Sequence, residues 1–270
     1  MPLCFFLTHK WSFFLQCKKA SFGDEDMPQQ RSPAPRVDPI RQPRVIFFDI
    51  GQTLATGAIP SPRRLVASRL GLSEKETKKV GRFIMTQSAL EPASLAAALK
   101  AVLVDREERH LQAALEAIWS EQLRCVKEID GSTSVLRTLK ARGYKLGLLS
   151  NTWHPLYSGF CEICPEMVGL VEYFVLSYRQ GCKKPSPDLF RQALDQTGEP
   201  ADRCWMVGDS YELDIEPALA SGMHAVWVVH APEREKTLLA RVLRGEKPRP
   251  DWAVARLEEI LELFSKKGPL

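Results

Sequence analysis

Three apolar runs stop abruptly on polar side chains. Val45–Phe48 stops on Asp49, Lys145–Leu149 on Ser150 and Asn151, and Cys204–Val207, through Gly208, on Asp209. Lys183-Lys184-Pro185 lies between the second and third runs, and Asp214 follows the third. One such ending means little, because Asp and Ser often cap turns. Together they mean more, because ligands of open parallel sheets bind beyond the carboxyl ends of the strands. Carboxylates, a hydroxyl and a lysine converging there could hold a hard cation and an anion side by side.

The elements that must position these groups are legible in outline. The apolar runs are continuous rather than alternating, as in parallel strands buried on both faces. They comprise Val45–Phe48, Lys145–Leu149, Tyr173–Leu176, Cys204–Val207 and Ala225–Val229. Helical patterns separate them: residues 134–143 ending on Gly143, 188–198 ending on Gly198, 214–222 with Pro217 in the first turn, and an outer helix at 256–264. Strands alternating with helices predict an α/β fold, a doubly wound Rossmann-like parallel sheet. Residues 61–129 break the alternation. They hold no strand pattern but strong helix formers, with capping-box signals at 73–76 (SEKE) and 105–108 (DREE). The expected organisation is a core of 44–60 and 130–270, with a helical cap at 61–129 inserted after the first strand.

Residues 1–43 are set apart. The first 17 are apolar but interrupted by His9 and Lys10, a poor signal peptide and too short a membrane span. Residues 24–44 are polar and proline-rich, a composition that predicts disorder. Met27 is expected to be the true start, with residues 1–26 an over-extended reading frame; a membrane-associating leader is the rival reading. The chain of 270 residues carries a net charge of +4 without a block of like charges, which argues against a nucleic-acid partner. Its seven cysteines form no repeating framework and suit reduced thiols in a cytoplasm.

The order and spacing of the polar endings resemble the haloacid dehalogenase (HAD) superfamily, most of whose members are magnesium-dependent phosphatases. That family's first motif, Asp-x-Asp-x-Thr-Leu, reads here Asp49-Ile50-Gly51-Gln52-Thr53-Leu54. The second, a strand ending in Ser or Thr, is at Ser150. The third, a Lys often followed by Pro, is Lys184-Pro185. The fourth, Gly-Asp-x-x-x-x-Asp, runs from Gly208-Asp209 to Asp214. The helical insertion stands where the family places its C1 cap.

The resemblance implies roles that the chemistry supports. Asp49 would be the nucleophile and form an aspartyl-phosphate. Asp49, the carbonyl of Gly51 and Asp209 would ligate Mg²⁺, with Asp214 acting directly or through water. Ser150 and Asn151 would bind phosphoryl oxygens, and Lys184 would offset their charge; Lys183 is an alternative to Lys184. The departure is Gly51. The second aspartate of the motif protonates the leaving oxygen and then activates water, and glycine does neither. Gln52 does not titrate. The carbonyl of Gly51 remains, so metal binding need not fail. The expected activity is Mg²⁺-dependent hydrolysis of a small phosphorylated metabolite. A catalytically silent phosphate- or partner-binding protein and a metal-independent dehalogenase are the alternatives.

His154, in the loop after Ser150, could contact substrate or give a proton to the leaving group. Trp153 and Tyr157 could shape the pocket or pack beneath the loop. Glu212 could face the metal or simply open a helix. Cys161 and Cys164, with His154 and Cys182, would make only an incomplete zinc set. Arg63, Arg64, Lys75, Lys78 and Lys79 read as a solvated cap face or as a patch for a phosphorylated substrate. No stable membrane association is expected, and oligomeric state is not encoded in any of these signals.

Overall fold

The computed structural model describes residues 44–57, 61–230, 232–233 and 235–265. The expectations placed on the N-terminal 43 residues lie outside them. Six strands form one sheet in the order β5-β4-β1-β6-β7-β8, with every neighbouring pair parallel. They are β1 (Val45–Phe48), β4 (Lys145–Ser150), β5 (Tyr173–Leu176), β6 (Cys204–Gly208), β7 (His224–Val228) and β8 (Trp252–Val254). β1 is central and fully buried, flanked by β4 and β6. That arrangement brings Asp49, Ser150 and Asp209 to the same edge of the sheet. The family-type α/β architecture is therefore present, with helices packed on the sheet.

The insertion holds four helices: α1 (Pro62–Leu70), α2 (Glu74–Ile84), α3 (Pro92–Leu99) and α4 (Glu108–Arg124). Ser73 caps α2 in a complete capping box with Glu76. The second box does not form. α4 starts at Glu108, Glu107 gives no side-chain cap, and its carboxylate pairs with Arg109 at 2.7 Å instead. A feature with no sequence signal frames the insertion: Ala55–Thr56 (β2) pairs antiparallel with Lys127–Glu128 (β3), so residues 61–129 do contain a strand. Two residues of polar sequence are too short to show a period.

After the insertion come α5 (Ser132–Ala141) and α6 (His154–Ile163). Gly143 and Gly198 sit at left-handed φ of 95° and 64° beyond their helices, where a side chain would be strained. The helix placed at 214–222 begins earlier, as a widened π-type turn over Tyr211–Ile215 that leads into Glu216–Ala220. Its first turn is stitched by Ser210, whose Oγ accepts from Leu213 N. The segment 256–264 is two short pieces, Leu257–Glu259 and Ile260–Leu263, tied to the core by Arg142 Nη1 donating to Leu261 O at 2.6 Å.

β8 is the one sheet strand the sequence pattern does not show. Its run, Trp252–Val254, is three residues long. Asp251 docks its start: one carboxylate oxygen accepts from Ala225 N at 2.8 Å and the other meets His224 Nδ1 at 2.7 Å. The hydrogen bond to Asp251 raises the His224 pKa above its usual 6.5. The pair therefore stabilises the fold fully below pH 6.5, and the gain disappears as pH rises through the raised folded value. His224→Gln should lower the melting temperature at pH 5.5 and have a smaller effect at pH 9. An equal loss at both pH values would refute the ion pair.

Two apolar clusters form the interior. One joins the sheet to its helices through Phe47, Met206, Trp227, Leu189 and Phe190. The other fills the cap with Leu65, Val80, Leu95, Leu111, Leu115 and Ile118, and takes Trp153 from the core into the same cluster. Trp153 Nε1 donates to Gln122 Oε1 at 3.3 Å, so the buried indole is not left unpaired. Beside it, α6 meets α4 at Gly159. A Cβ there would lie 2.3 Å from the carbonyl oxygen of Leu123, which explains glycine in a helix interior.

Candidate active site

The loop after β1 carries Asp49, Gly51 and Thr53. Asp49 is 7% exposed, and its backbone N–H donates to Val207 O at 3.0 Å, which continues the sheet by one residue. The chain then turns tightly, with Gln52 N donating to Ala55 O at 2.8 Å and Gln52 at a left-handed φ of 58°. Gly51 itself has no left-handed strain. A Cβ built on it would lie 3.7 Å from Asp49 Oδ2, an ordinary contact.

Lys184 reaches into this loop from the segment after β5. Its ammonium is buried and donates to Asp49 Oδ1 at 2.6 Å, Asp214 Oδ1 at 2.5 Å and Leu149 O at 2.9 Å. All three protons of the ammonium are thus used. Burial alone would lower its pKa, but Asp214 and Asp49 outweigh burial and raise it, so the lysine stays charged. Asn151 fixes the backbone beneath it: Lys184 N donates to Asn151 Oδ1 at 2.7 Å and Asn151 Nδ2 donates to Lys184 O at 3.0 Å. One N–H of that carboxamide remains for a ligand. Among the described residues the ion pairs to Asp49 and Asp214 come from Lys184, and Lys183, the alternative, forms none with them.

Asp209 and Asp214 arrive from the end of β6 and the π-type turn. Asp214 Oδ2 accepts from Ser210 N at 3.0 Å. Gly208 permits this, because a Cβ there would lie 2.4 Å from Asp214 Oδ2. Trp227 Nε1 donates to Asp209 O at 2.8 Å and holds the backbone at that corner. Carboxylate oxygens of Asp49, Asp209 and Asp214 all lie within 4.8 Å of one another, the one group among the described residues with the makings of an ion site. Burial, then Asp49 and Asp214, push the Asp209 pKa up to about 7. Three carboxylates against one lysine leave an excess of negative charge. Hard oxygen donors with unneutralised charge fit a divalent cation such as Mg²⁺.

Ser150 ends β4 and is 1% exposed, and its hydroxyl has no protein partner among the described residues. His154 opens α6 and lies among aromatic rings, with centroids 5.8 Å from Trp119 and from Tyr178. Its Nε2 lies 3.3 Å from Ser158 Oγ, and its Nδ1 is buried without a partner. Burial and Arg179 lower its pKa, so the ring is neutral at physiological pH. Tyr157 packs against Phe160 and Tyr178 with the Arg179 guanidinium 5.0 Å from its ring centroid. Glu212 is exposed in the π-type turn. The sequence gives no hint of the bonds by which Asn151 and Leu149 O hold Lys184, because they join segments far apart in the chain.

Residues 43–222 match the haloacid dehalogenase-like hydrolase family. The chain belongs to that family of hydrolases. A pyrimidine 5'-nucleotidase, YjjG, of Escherichia coli (strain K12) is 30% identical over 155 residues, 56% of this chain and 63% of that protein. A glyceraldehyde 3-phosphate phosphatase of Pyrococcus furiosus is 24% identical over 237 residues, covering 85% of this chain and 96% of the relative. A solved 2-haloacid dehalogenase from Pseudomonas syringae pv. tomato superposes with a TM-score of 0.59 at 20% identity, over 84% of this chain and all of that one. The last likeness establishes the fold alone, and the HAD fold carries more than one hydrolytic chemistry. Among the described residues no helix is long and apolar enough to cross a membrane.

Proposed function

We propose that this HAD-family hydrolase is a Mg²⁺-dependent phosphatase of a small phosphorylated metabolite, acting in the cytoplasm through an aspartyl-phosphate on Asp49. The observation that carries the reading is the Asp49–Asp209–Asp214 cluster with Lys184 buried against it. A dehalogenase acting without metal has no need of three converging carboxylates. The phosphatase and nucleotidase names of the two relatives lend support.

Asp49, Asp209 and the carbonyl of Gly51 would hold the cation, with Asp214 beside them. Bound there, Mg²⁺ supplies charge neutralisation for the transferring phosphoryl group. The chain's own residues do the rest. Asp49, held by Lys184, attacks phosphorus in line as the ester P–O bond breaks. Ser150 Oγ and the free N–H of Asn151 meet phosphoryl oxygens. Lys184 offsets the charge that accumulates between phosphate and Asp49. Water then attacks the aspartyl-phosphate and releases inorganic phosphate. His154 would meet substrate from α6, but its neutral ring is a weak proton donor.

The decisive experiment is a panel of phosphorylated metabolites assayed with Mg²⁺ and with EDTA. Phosphate release that EDTA abolishes is the expected result. EDTA-insensitive halide release from 2-haloacids, or silence across the panel, would defeat the proposal. Asp209→Ala should lower Mg²⁺ affinity and turnover together, by about 10²-fold at limiting Mg²⁺. Unchanged activity at low Mg²⁺ would make this corner a structural turn only.

A further inference from the structure

Three consecutive residues after β4 are each fixed to a different segment. Asn151 pairs with the backbone of Lys184 in both directions, at 2.7 and 3.0 Å. Thr152 N donates to Ser177 Oγ at 3.0 Å, and that hydroxyl donates back to Thr152 O at 2.9 Å, which clasps the loop to the residue after β5. Trp153 reaches out of the core. Its Nε1 donates to Gln122 Oε1 on α4 of the cap, and its ring meets Trp119 of the same helix edge-on, 5.6 Å between centroids.

Gln122 is out of place by composition. It is fully buried, and of the buried polar side chains among the described residues it is the one that lies in the cap. It continues the buried face of Leu111, Leu115, Ile118 and Trp119 on α4, where an apolar side chain of the same length would need no partners. Within the cap its Nε2 finds only the Sγ of Cys125 at 3.9 Å, a weak acceptor at long range. Its Oε1 has the indole of Trp153. The carboxamide therefore serves a bond to the core rather than the cap's own packing. A hydrogen bond fixes direction where an apolar contact tolerates sliding. With Thr152 held in its middle, the loop can tilt but not slide, so a tilt at Trp153 moves Asn151. Asn151 holds the backbone of Lys184, whose ammonium is bonded to Asp49, Asp214 and Leu149 O.

We propose that Gln122 is a positioning residue: through Trp153 and Asn151, the seating of the cap sets the place of Lys184 against Asp49. What Lys184 does in turnover rests on the phosphatase reading; the coupling from Gln122 to Lys184 does not.

The test takes Gln122→Met, Trp153→Phe and the double variant in the full chain through three measurements. These are the melting temperature, hydrogen exchange of the Lys184 amide by NMR, and kcat and KM for p-nitrophenyl phosphate with Mg²⁺. The Lys184 amide donates to Asn151 Oδ1, so its exchange reads the clasp directly. Each single variant leaves one buried group unpaired and should lower the melting temperature, whereas the double variant removes both partners and should recover much of the loss. Exchange at Lys184 should be about tenfold faster and kcat about tenfold lower in all three, with KM changed by about twofold at most. A double variant that regains kcat and slow exchange together with its melting temperature would make the bond structural only and overturn the proposal. Single variants with unaltered exchange at Lys184 would overturn it as well. If the wild type hydrolyses no phosphate ester, the phosphatase reading fails, and exchange at Lys184 still upholds or overturns the coupling.

Discussion

Asp49→Asn removes turnover by on the order of 10⁴-fold or more while the protein still folds. The asparagine keeps the shape of the side chain but loses the charge and nearly all the nucleophilicity. Folding survives because Lys184 keeps its bonds to Asp214 and to the carbonyl of Leu149, so the buried ammonium is not stranded. Removing one of three crowded carboxylates also relieves repulsion on Asp209. The measurements are single-turnover kinetics, acid-quench trapping of phosphorylated protein, and a thermal melt to show the fold is intact. Wild-type phosphate release by this variant, with deamidation to aspartate excluded by mass spectrometry, would eliminate the covalent route.

The second large effect is a gain. Gly51→Asp should raise the hydrolysis of alkyl phosphates by about 10²–10⁴-fold, the usual worth of general acid–base help. Under the proposed mechanism, glycine at this position would leave a poor leaving group to depart without a proton and the attacking water without a base. The wild type should therefore show a steep dependence on leaving-group pKa and an initial burst as the aspartyl-phosphate accumulates. The backbone accepts a side chain here: φ at Gly51 is not left-handed, and the new Cβ would make an ordinary 3.7 Å contact with Asp49 Oδ2. A fourth carboxylate beside three others would be pushed towards its protonated form, the form a general acid needs. A flat leaving-group series in the wild type, or no gain in the variant, would mean that another group supplies the proton. His154→Ala is then the next variant to assay.

The positions of Asp49, Ser150 and Asp209 at one sheet edge were legible because each ends a continuous buried run, and such runs become parallel strands. Lys184 was legible by its motif, but its three bonds were not. They join it to residues 135, 35 and 30 positions away, and no local pattern records a contact of that range. The edge strand β8 and the β2–β3 ribbon escaped notice because three and two residues cannot display a period. The DREE motif misled in the opposite direction, since a capping box needs its first side chain at the helix start and Glu107 stands there instead.

The way Trp153 and Gly159 meet the cap bears on how far the insertion can be treated as a detachable module. The indole of Trp153 belongs to the cap's own apolar cluster although its backbone belongs to the loop after Ser150. Cut out alone, residues 61–129 would expose a socket shaped for an indole, and the remaining core would carry a bare tryptophan in the loop after Ser150. Truncating a buried tryptophan costs about 3–5 kcal/mol, a large share of the 5–15 kcal/mol that keeps an ordinary domain folded. Gly159 sharpens the constraint, since any side chain there strikes the Leu123 carbonyl. A cap transplanted from another member of the family would need its own answer to both residues, so exchange of substrate preference by cap swapping is closed to this chain unless α6 travels with the graft.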